Sequence, residues 1–256
     1  MPVRVVGFDG DDTLWHSETR FHVTQGEFRD LLSRHVTGVD VDARLAEMEM
    51  KNLSIYGYGV KSFTLSMLET AIELTEARLP AADLDVILGW GKRMLMEPTE
   101  LLEGVEEALQ GLDGRYDMLL ITKGDLFDQE SKLARSGLGD LFLGVEILSE
   151  KNAETYGAVF RRRGIDPTDF VMVGNSLRSD VVPVVALGGR AVHIPYEVTW
   201  QHEQVPEQSL PKSGWWRLPV IRELGGLLES LDGPDSWADT DLDRHDGLET
   251  LVEQLT

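Results

Sequence analysis

Between residues 117 and 194 short apolar runs alternate with helical stretches, and few folds accommodate that rhythm. The runs are Asp117-Met118-Leu119-Leu120-Ile121, Val145-Glu146-Ile147-Leu148, Phe170-Val171-Met172-Val173 and Ala191-Val192-His193-Ile194. Helical periodicity fills the gaps at about 126–136, 152–163 and 178–187. A further run, Val3-Arg4-Val5-Val6-Gly7-Phe8, stands near the N-terminus. Strand, helix, strand in this order predicts right-handed βαβ units and an α/β fold built on a doubly wound parallel sheet. Ligands of such sheets sit beyond the carboxyl ends of the strands. Asp9, Thr122 and Gly174-Asn175 occupy three of those ends, so distant polar groups are predicted to share one crevice.

No strand-like run interrupts residues 15–98. Helical stripes are instead visible at Phe28, Leu31, Leu32 and His35, at Leu45, Met48 and Leu53, and at Phe63, Met67, Ala71 and Leu74. A fourth segment covers about 81–96. Roughly 80 residues exceed what a βαβ crossover needs, so an all-helical cap over 15–98 is predicted, inserted into a core formed by 1–14 and 99–195. Its linkers fall near 14–17 and 96–100. Residues 196–256 read as a C-terminal extension packed on the core. It is irregular from Tyr196 to about Trp216, helical over Leu218 to Leu231, and an acidic loop from Gly233 to Asp246. Trp200, Trp215 and Trp216 are expected to anchor that extension to the core or to a second subunit.

Lys and Arg number 24 against 45 Asp and Glu, a formal charge of −21. Such a surface repels nucleic acid and anionic lipid, so neither is expected as a partner. No run approaches membrane-spanning length. Residues 1–8 lack the basic start, apolar run and cleavage site of a signal peptide, and a cytoplasmic monomer or homodimer is expected. The chain has no cysteine, which excludes disulfides, thiolate metal sites and a Cys nucleophile. Its histidines, at 16, 22, 35, 193, 202 and 245, form no His-x-His or His-Glu-x-x-His pair, against a zinc hydrolase.

The acidic tip Asp9-Gly10-Asp11-Asp12-Thr13-Leu14 follows the first apolar run. Carboxylates are costly to bury unless paired or bound to a metal. Either the tip is chemical, with one Asp attacking and another moving a proton beside a divalent cation, or it is an Asp/Gly turn capping the next helix.

Asp9-x-Asp11-x-Thr13 after such a strand resembles the first motif of the haloacid dehalogenase superfamily, most of whose members are magnesium-dependent phosphohydrolases. The other motifs follow in order over residues 1–195: Leu119-Leu120-Ile121-Thr122, then Lys151, then Val171-Met172-Val173-Gly174-Asn175-Ser176-Leu177-Arg178-Ser179-Asp180. The resemblance implies Asp9 as nucleophile and Asp11 as general acid and base, with a pKa raised by burial among carboxylates. Thr122, with backbone amides after Asp9 and Thr122, would bind phosphoryl oxygens, and Lys151 would offset their charge. Thr13, Lys123, Gly124 and Trp15 are the further substrate contacts expected, although Trp15 and His16 flank a linker where hinge packing is the alternative. Mg²⁺ would be held by Asp9, the Asp11 carbonyl, Asn175 and Asp180. Three carboxylates (Asp9, Asp11, Asp180) against one ammonium leave two negative charges, which a divalent cation cancels.

Two departures stand out. Asn175 occupies the position where the family's fourth motif begins its acidic pair, so direct ligation falls to Asn175 or to Asp180. Lys151 is followed by Asn152 rather than Pro, which leaves Lys123 as its rival. Asp12 is expected to point away and cap the turn. Gly57-Tyr58-Gly59-Val60-Lys61-Ser62 lacks the preceding strand of a phosphate loop. It reads as a turn between cap helices, or as a loop bringing Tyr56, Tyr58 and Lys61 to substrate. No Gly-x-Gly-x-x-Gly follows the first strand, which disfavours dinucleotides. The expected activity is hydrolysis of a small phosphorylated metabolite. A metal-free dehalogenase using Asp9 and a non-catalytic binding module are the alternatives.

Overall fold

The computed structural model describes residues 2–198, 205–206 and 209–232. Six strands form one parallel sheet: β1 (Val5–Phe8), β2 (Asp117–Lys123), β3 (Gly144–Leu148), β4 (Phe170–Gly174), β5 (Arg190–His193) and β6 (Trp215–Arg217), in the order β3-β2-β1-β4-β5-β6. The chain winds outward from β1 to one side and then from β4 to the other, so the strand order switches between those two strands. That is where α/β sheets place their ligands. Both strands are buried along their whole length, as expected for central strands covered on both faces.

The side chains alternate between two cores. Val6, Phe8, Met118, Leu120, Val171 and Val173 pack with α5 (Val105–Leu112) and α9 (Leu224–Leu231), whereas Val5, Leu119, Ile121, Phe170 and Met172 pack with α7 (Ala153–Arg163) and α8 (Val182–Ala186). Gly7 is required at the centre of β1. A Cβ there would stand 2.6 Å from the Phe170 ring and 3.1 Å from Ile121 and Met172. α6 (Leu126–Ser136) follows β2 directly.

Four helices, α1 (Glu18–Leu32), α2 (Val41–Tyr56), α3 (Val60–Leu74) and α4 (Ala81–Met96), occupy the helical block and enclose a core of their own around Phe28, Leu45, Met67 and Ile87. Their entry and exit segments lie side by side. The His16 amide donates to the Glu100 carbonyl (3.0 Å), and the Leu102 amide donates to that of Leu14 (2.9 Å).

Four elements differ from the sequence expectation, the first being the helix read over Leu218 to Leu231, which is α-helical only over α9 after a single 3-10 turn at Ile221–Glu223. α5 escaped notice because it is a short helix with a single apolar stripe, Val105, Leu109 and Leu112. β6 lies within the stretch read as irregular; three residues at a sheet edge are too few to show a period of two. The helix expected over 178–187 is a π-turn, Leu177–Val181, before the short α8, and this extra bulge turns Asp180 inward. In the extension, Trp215 donates its indole N–H to the Pro211 carbonyl (2.9 Å), and Trp216 packs on the core. The Asp232 carboxylate accepts from the Val3 amide and the Tyr116 hydroxyl, which fastens the end of α9 to the sheet. Trp200, His202, His245 and the acidic loop from Gly233 lie outside the described residues. Among those described, no helix is long and apolar enough to cross a membrane.

Candidate active site

Lys151 stands between β3 and α7, and α7 begins with a reciprocal cap in which Asn152 and Thr155 each bond the other's backbone amide. That cap fixes the backbone from which the Lys151 side chain enters the sheet's carboxyl edge. Its buried ammonium lies 2.5 Å from Asp9 Oδ1 and 2.7 Å from Asp180 Oδ1. The other Asp180 oxygen accepts the Ser176 amide at 3.0 Å and leans on Gly174, where a Cβ would meet it at 2.1 Å. One ammonium therefore serves two buried carboxylates, and one negative charge is in surplus. Burial pushes the Asp9 carboxyl up to about 7 against the pull of Lys151, with Asp180 adding to the rise. Burial alone would lower the Lys151 ammonium, but Asp180 and Asp9 raise it overall.

Asp11 lies in a different pocket of charge. Its carboxylate accepts the Trp15 indole N–H (2.7 Å), the Gln129 amide (2.9 Å) and the Lys132 ammonium on both oxygens (2.9 and 3.0 Å). Gln129 Oε1 in turn faces the Thr122 hydroxyl at 3.4 Å. Burial works to raise Asp11, yet Lys132 and these hydrogen bonds outweigh it and hold the carboxyl below its ordinary value. That is opposite to the expected direction, because an ammonium rather than another carboxylate is its nearest charged neighbour. Gln129 and Lys132 were not anticipated. With Asp128 they form the buried side of α6, a face that the sequence alone does not distinguish from one turned to solvent.

Asp12 adopts a left-handed backbone (φ 60°) and turns from Asp9 towards α1. It accepts the Ser17 amide (2.9 Å) and the Glu18 amide (3.0 Å), so its carboxylate caps that helix. Burial, then Asp11, pushes it up to about 8.

The glycine-flanked turn between α2 and α3 reaches across the crevice. Lys123 donates to Ser179 Oγ (3.0 Å) and sits 4.5 Å above the Tyr58 ring, while the Tyr58 hydroxyl donates to Glu150 (2.5 Å). Lys61 pairs with Asp125 (2.8 Å), and the exposed Tyr56 bonds Glu69 within the helical unit, away from the crevice. These contacts enclose a cavity of about 190 Å³ lined by Asp9, Asp11, Thr122, Lys123, Lys151 and Asn175 on the sheet side.

Thr13, Trp15, Gly124 and Asp180, expected to touch substrate or metal, are not among the lining residues. Thr13 is buried with its hydroxyl 3.5 Å from Asn175 Oδ1, and Trp15 is fully buried in the core. Gly124 (φ 138°) backs onto Gln129, where a Cβ would fall 3.1 Å from the amide nitrogen.

Oxygen donors suit a hard divalent cation, and the surplus charge at Asp9 would be neutralised by one. Asp9 and the Asn175 amide face the cavity and fit that role. Asp180 does not, because Lys151 and the Ser176 amide take its oxygens; the Asp11 side chain is likewise engaged, which leaves only its carbonyl. Among the described residues no three His, Asp or Glu side chains converge as a metal site.

A family model described as haloacid dehalogenase-like hydrolase matches residues 3–188. Among solved structures, a haloacid dehalogenase-like family hydrolase from Xanthomonas campestris is 42% identical, over 90% of this chain and 92% of its own, with a TM-score of 0.81. The HAD-hydrolase YfnB from Bacillus subtilis, bound to magnesium, is 18% identical over 89% and 99% (TM-score 0.61). A 2-haloacid dehalogenase from Pseudomonas syringae is 19% identical over 89% and 98% (TM-score 0.59). The comparison with curated proteins gives no match.

Proposed function

The chain belongs to the haloacid dehalogenase-like hydrolase family, and from that premise we propose that it is a magnesium-dependent phosphohydrolase. Its substrate is a small phosphorylated metabolite, cleaved through an aspartyl-phosphate on Asp9. The supporting observation is the buried Lys151 ammonium 2.5 Å from Asp9 Oδ1, at the floor of a cavity that Thr122 and Lys123 also line. Lys151 holds Oδ1, so Oδ2 is the attacking atom. It forms a bond to phosphorus as the ester P–O bond breaks, and the electron pair leaves with the alcohol oxygen. Thr122 and Lys123 donate to the phosphoryl oxygens, and Lys151 offsets the charge they share with Asp9. Magnesium, held by Asp9 and Asn175, would supply the positive charge that the Asp9–Lys151–Asp180 group lacks.

As a carboxylate, Asp11 is prepared to take a proton from the water that then attacks phosphorus and releases Asp9. Protonating the leaving alcohol first requires Asp11 to exchange the Lys132 ammonium for a proton. A panel of phosphorylated metabolites assayed with and without Mg²⁺ tests the reading: the wild type turns one over with the metal, and Asp9→Asn does not.

A second reading is favoured by that same Lys132 contact. Halide leaves without a proton, so an anionic Asp11 and an uncharged Asn175 suit a dehalogenase in which Asp9 attacks carbon. Halide release from a 2-haloacid without added metal would select it. A folded protein that cleaves neither class would leave a non-catalytic binding module. Among the described residues no helix is long and apolar enough to cross a membrane.

A further inference from the structure

Resting on the phosphohydrolase reading, we propose that the organic part of the substrate carries an ammonium group, recognised by Glu49 at the helical end of the catalytic cavity. The cavity divides into two chemical halves. On the sheet side the three ammonium groups Lys123, Lys132 and Lys151 are already paired with carboxylates, Lys123 with Glu150, Lys132 with Asp11 and Asp128, and Lys151 with Asp9 and Asp180. The helical side contributes Glu18 and Glu49, with Asp12 at the junction, and among the described residues no Lys or Arg lines it.

These three carboxylates are not equivalent. Asp12 accepts the amides that open α1, and Glu18 sits in the first turn of that helix, where the helix dipole favours negative charge. Glu49 lies in the interior of α2, far from either end of that helix, and makes no hydrogen bond or ion pair with any described residue. Burial, then the neighbouring Glu18, pushes its carboxyl up to about 7. A half-buried carboxylate in that position is poorly solvated and lacks a counter-ion.

The same cavity has aromatic lining: Phe21 and Phe63 meet edge to face with ring centroids 5.1 Å apart, and both line it along with Glu49. A cavity that offers a carboxylate and aromatic rings suits an alkylammonium, which gains a counter-ion and apolar or ring contact together. A cavity of about 190 Å³ is smaller than the pockets of drug-sized ligands and suits a short substrate. A phosphorylated amino alcohol places its phosphate among the lysines and its ammonium at Glu49.

The test compares 2-aminoethyl phosphate with propyl phosphate, nearly the same in shape and lacking the charge, at pH 8, with an aryl phosphate as a general reporter of phosphatase activity. The wild type is expected to prefer the amino ester in kcat/KM by about tenfold, the advantage of one partly buried ion pair. Glu49→Gln should bring that ratio close to one. Propylammonium should inhibit the wild type competitively and 1-propanol should not, a measurement that does not depend on the variant folding. Equal kcat/KM for the two esters, a ratio that survives Glu49→Gln, or absence of inhibition by propylammonium overturns the inference while aryl phosphate turnover upholds the phosphohydrolase. Absence of turnover of all three esters defeats that reading and the inference with it.

Discussion

Replacing Lys151 by Met shortens the unbranched side chain by one atom and removes the single positive charge that Asp9 and Asp180 share. At contacts of 2.5 and 2.7 Å the attraction is about 6 kcal/mol each at an effective dielectric of about 20, but most of it is consumed in desolvating the three groups. What truncation costs is the stranding of two buried carboxylates, about 3–5 kcal/mol for breaking a buried pair. For a chain of this size that corresponds to a fall in Tm of about 6–20 °C. The pH dependence gives the sign. Without Lys151 the Asp9 carboxyl rises further above its unfolded value of about 3.9, so between that value and the raised one the folded state binds a proton that the unfolded state does not. Stability of the variant therefore increases as pH falls, and the penalty is greatest at pH 8 and shrinks by pH 5. Urea titrations of wild type and variant, followed by circular dichroism at both pH values, measure it. Lys151→Met combined with Asp180→Asn should recover roughly half of the loss. A penalty under about 1 kcal/mol at pH 8, or one that does not shrink by pH 5, would refute the shared-ammonium account.

Lys132→Met should raise the Asp11 carboxyl, so that the acid form persists to higher pH. For an alkyl phosphate the pH optimum moves upward, and dependence of rate on leaving-group pKa becomes shallower; an unchanged profile contradicts the role given to Lys132. Gly7→Ala forces a methyl to within 2.6 Å of Phe170 and should cost about 1–3 kcal/mol by chemical denaturation. Asn152→Ala removes half of the α7 cap and should cost about 1 kcal/mol, with a further fall in kcat as the backbone beneath Lys151 loosens.

The parallel sheet was legible because each central strand is a buried apolar run with a helix beside it, and α4 and α6 begin and end where their periodicity does. Asp9, Thr122 and Asn175 could be assigned to one crevice because each lies at or just beyond a strand's carboxyl end, which topology brings together, whereas Lys151 was legible only through the family resemblance. The surroundings of Asp11 could not be read in this way. Gln129 and Lys132 are polar residues on a helix, and a sequence does not distinguish a face turned to water from one turned to a carboxylate more than a hundred residues away. The same limit applies to Asp180: its acidic identity was visible, but the π-turn that aims it at Lys151 leaves no periodic trace.

The two linkers of the helical unit are laced together, and Trp15 belongs to that lacing: it bridges Leu101 across the ribbon and Asp11 along it, while its indole N–H holds the Asp11 carboxylate. The joint about which the unit would swing and the tether of the proton-carrying group are thus one side chain. Any rotation there pulls on the indole and alters one of the restraints on Asp11, so admission of a substrate and readiness for chemistry are mechanically geared rather than independent events.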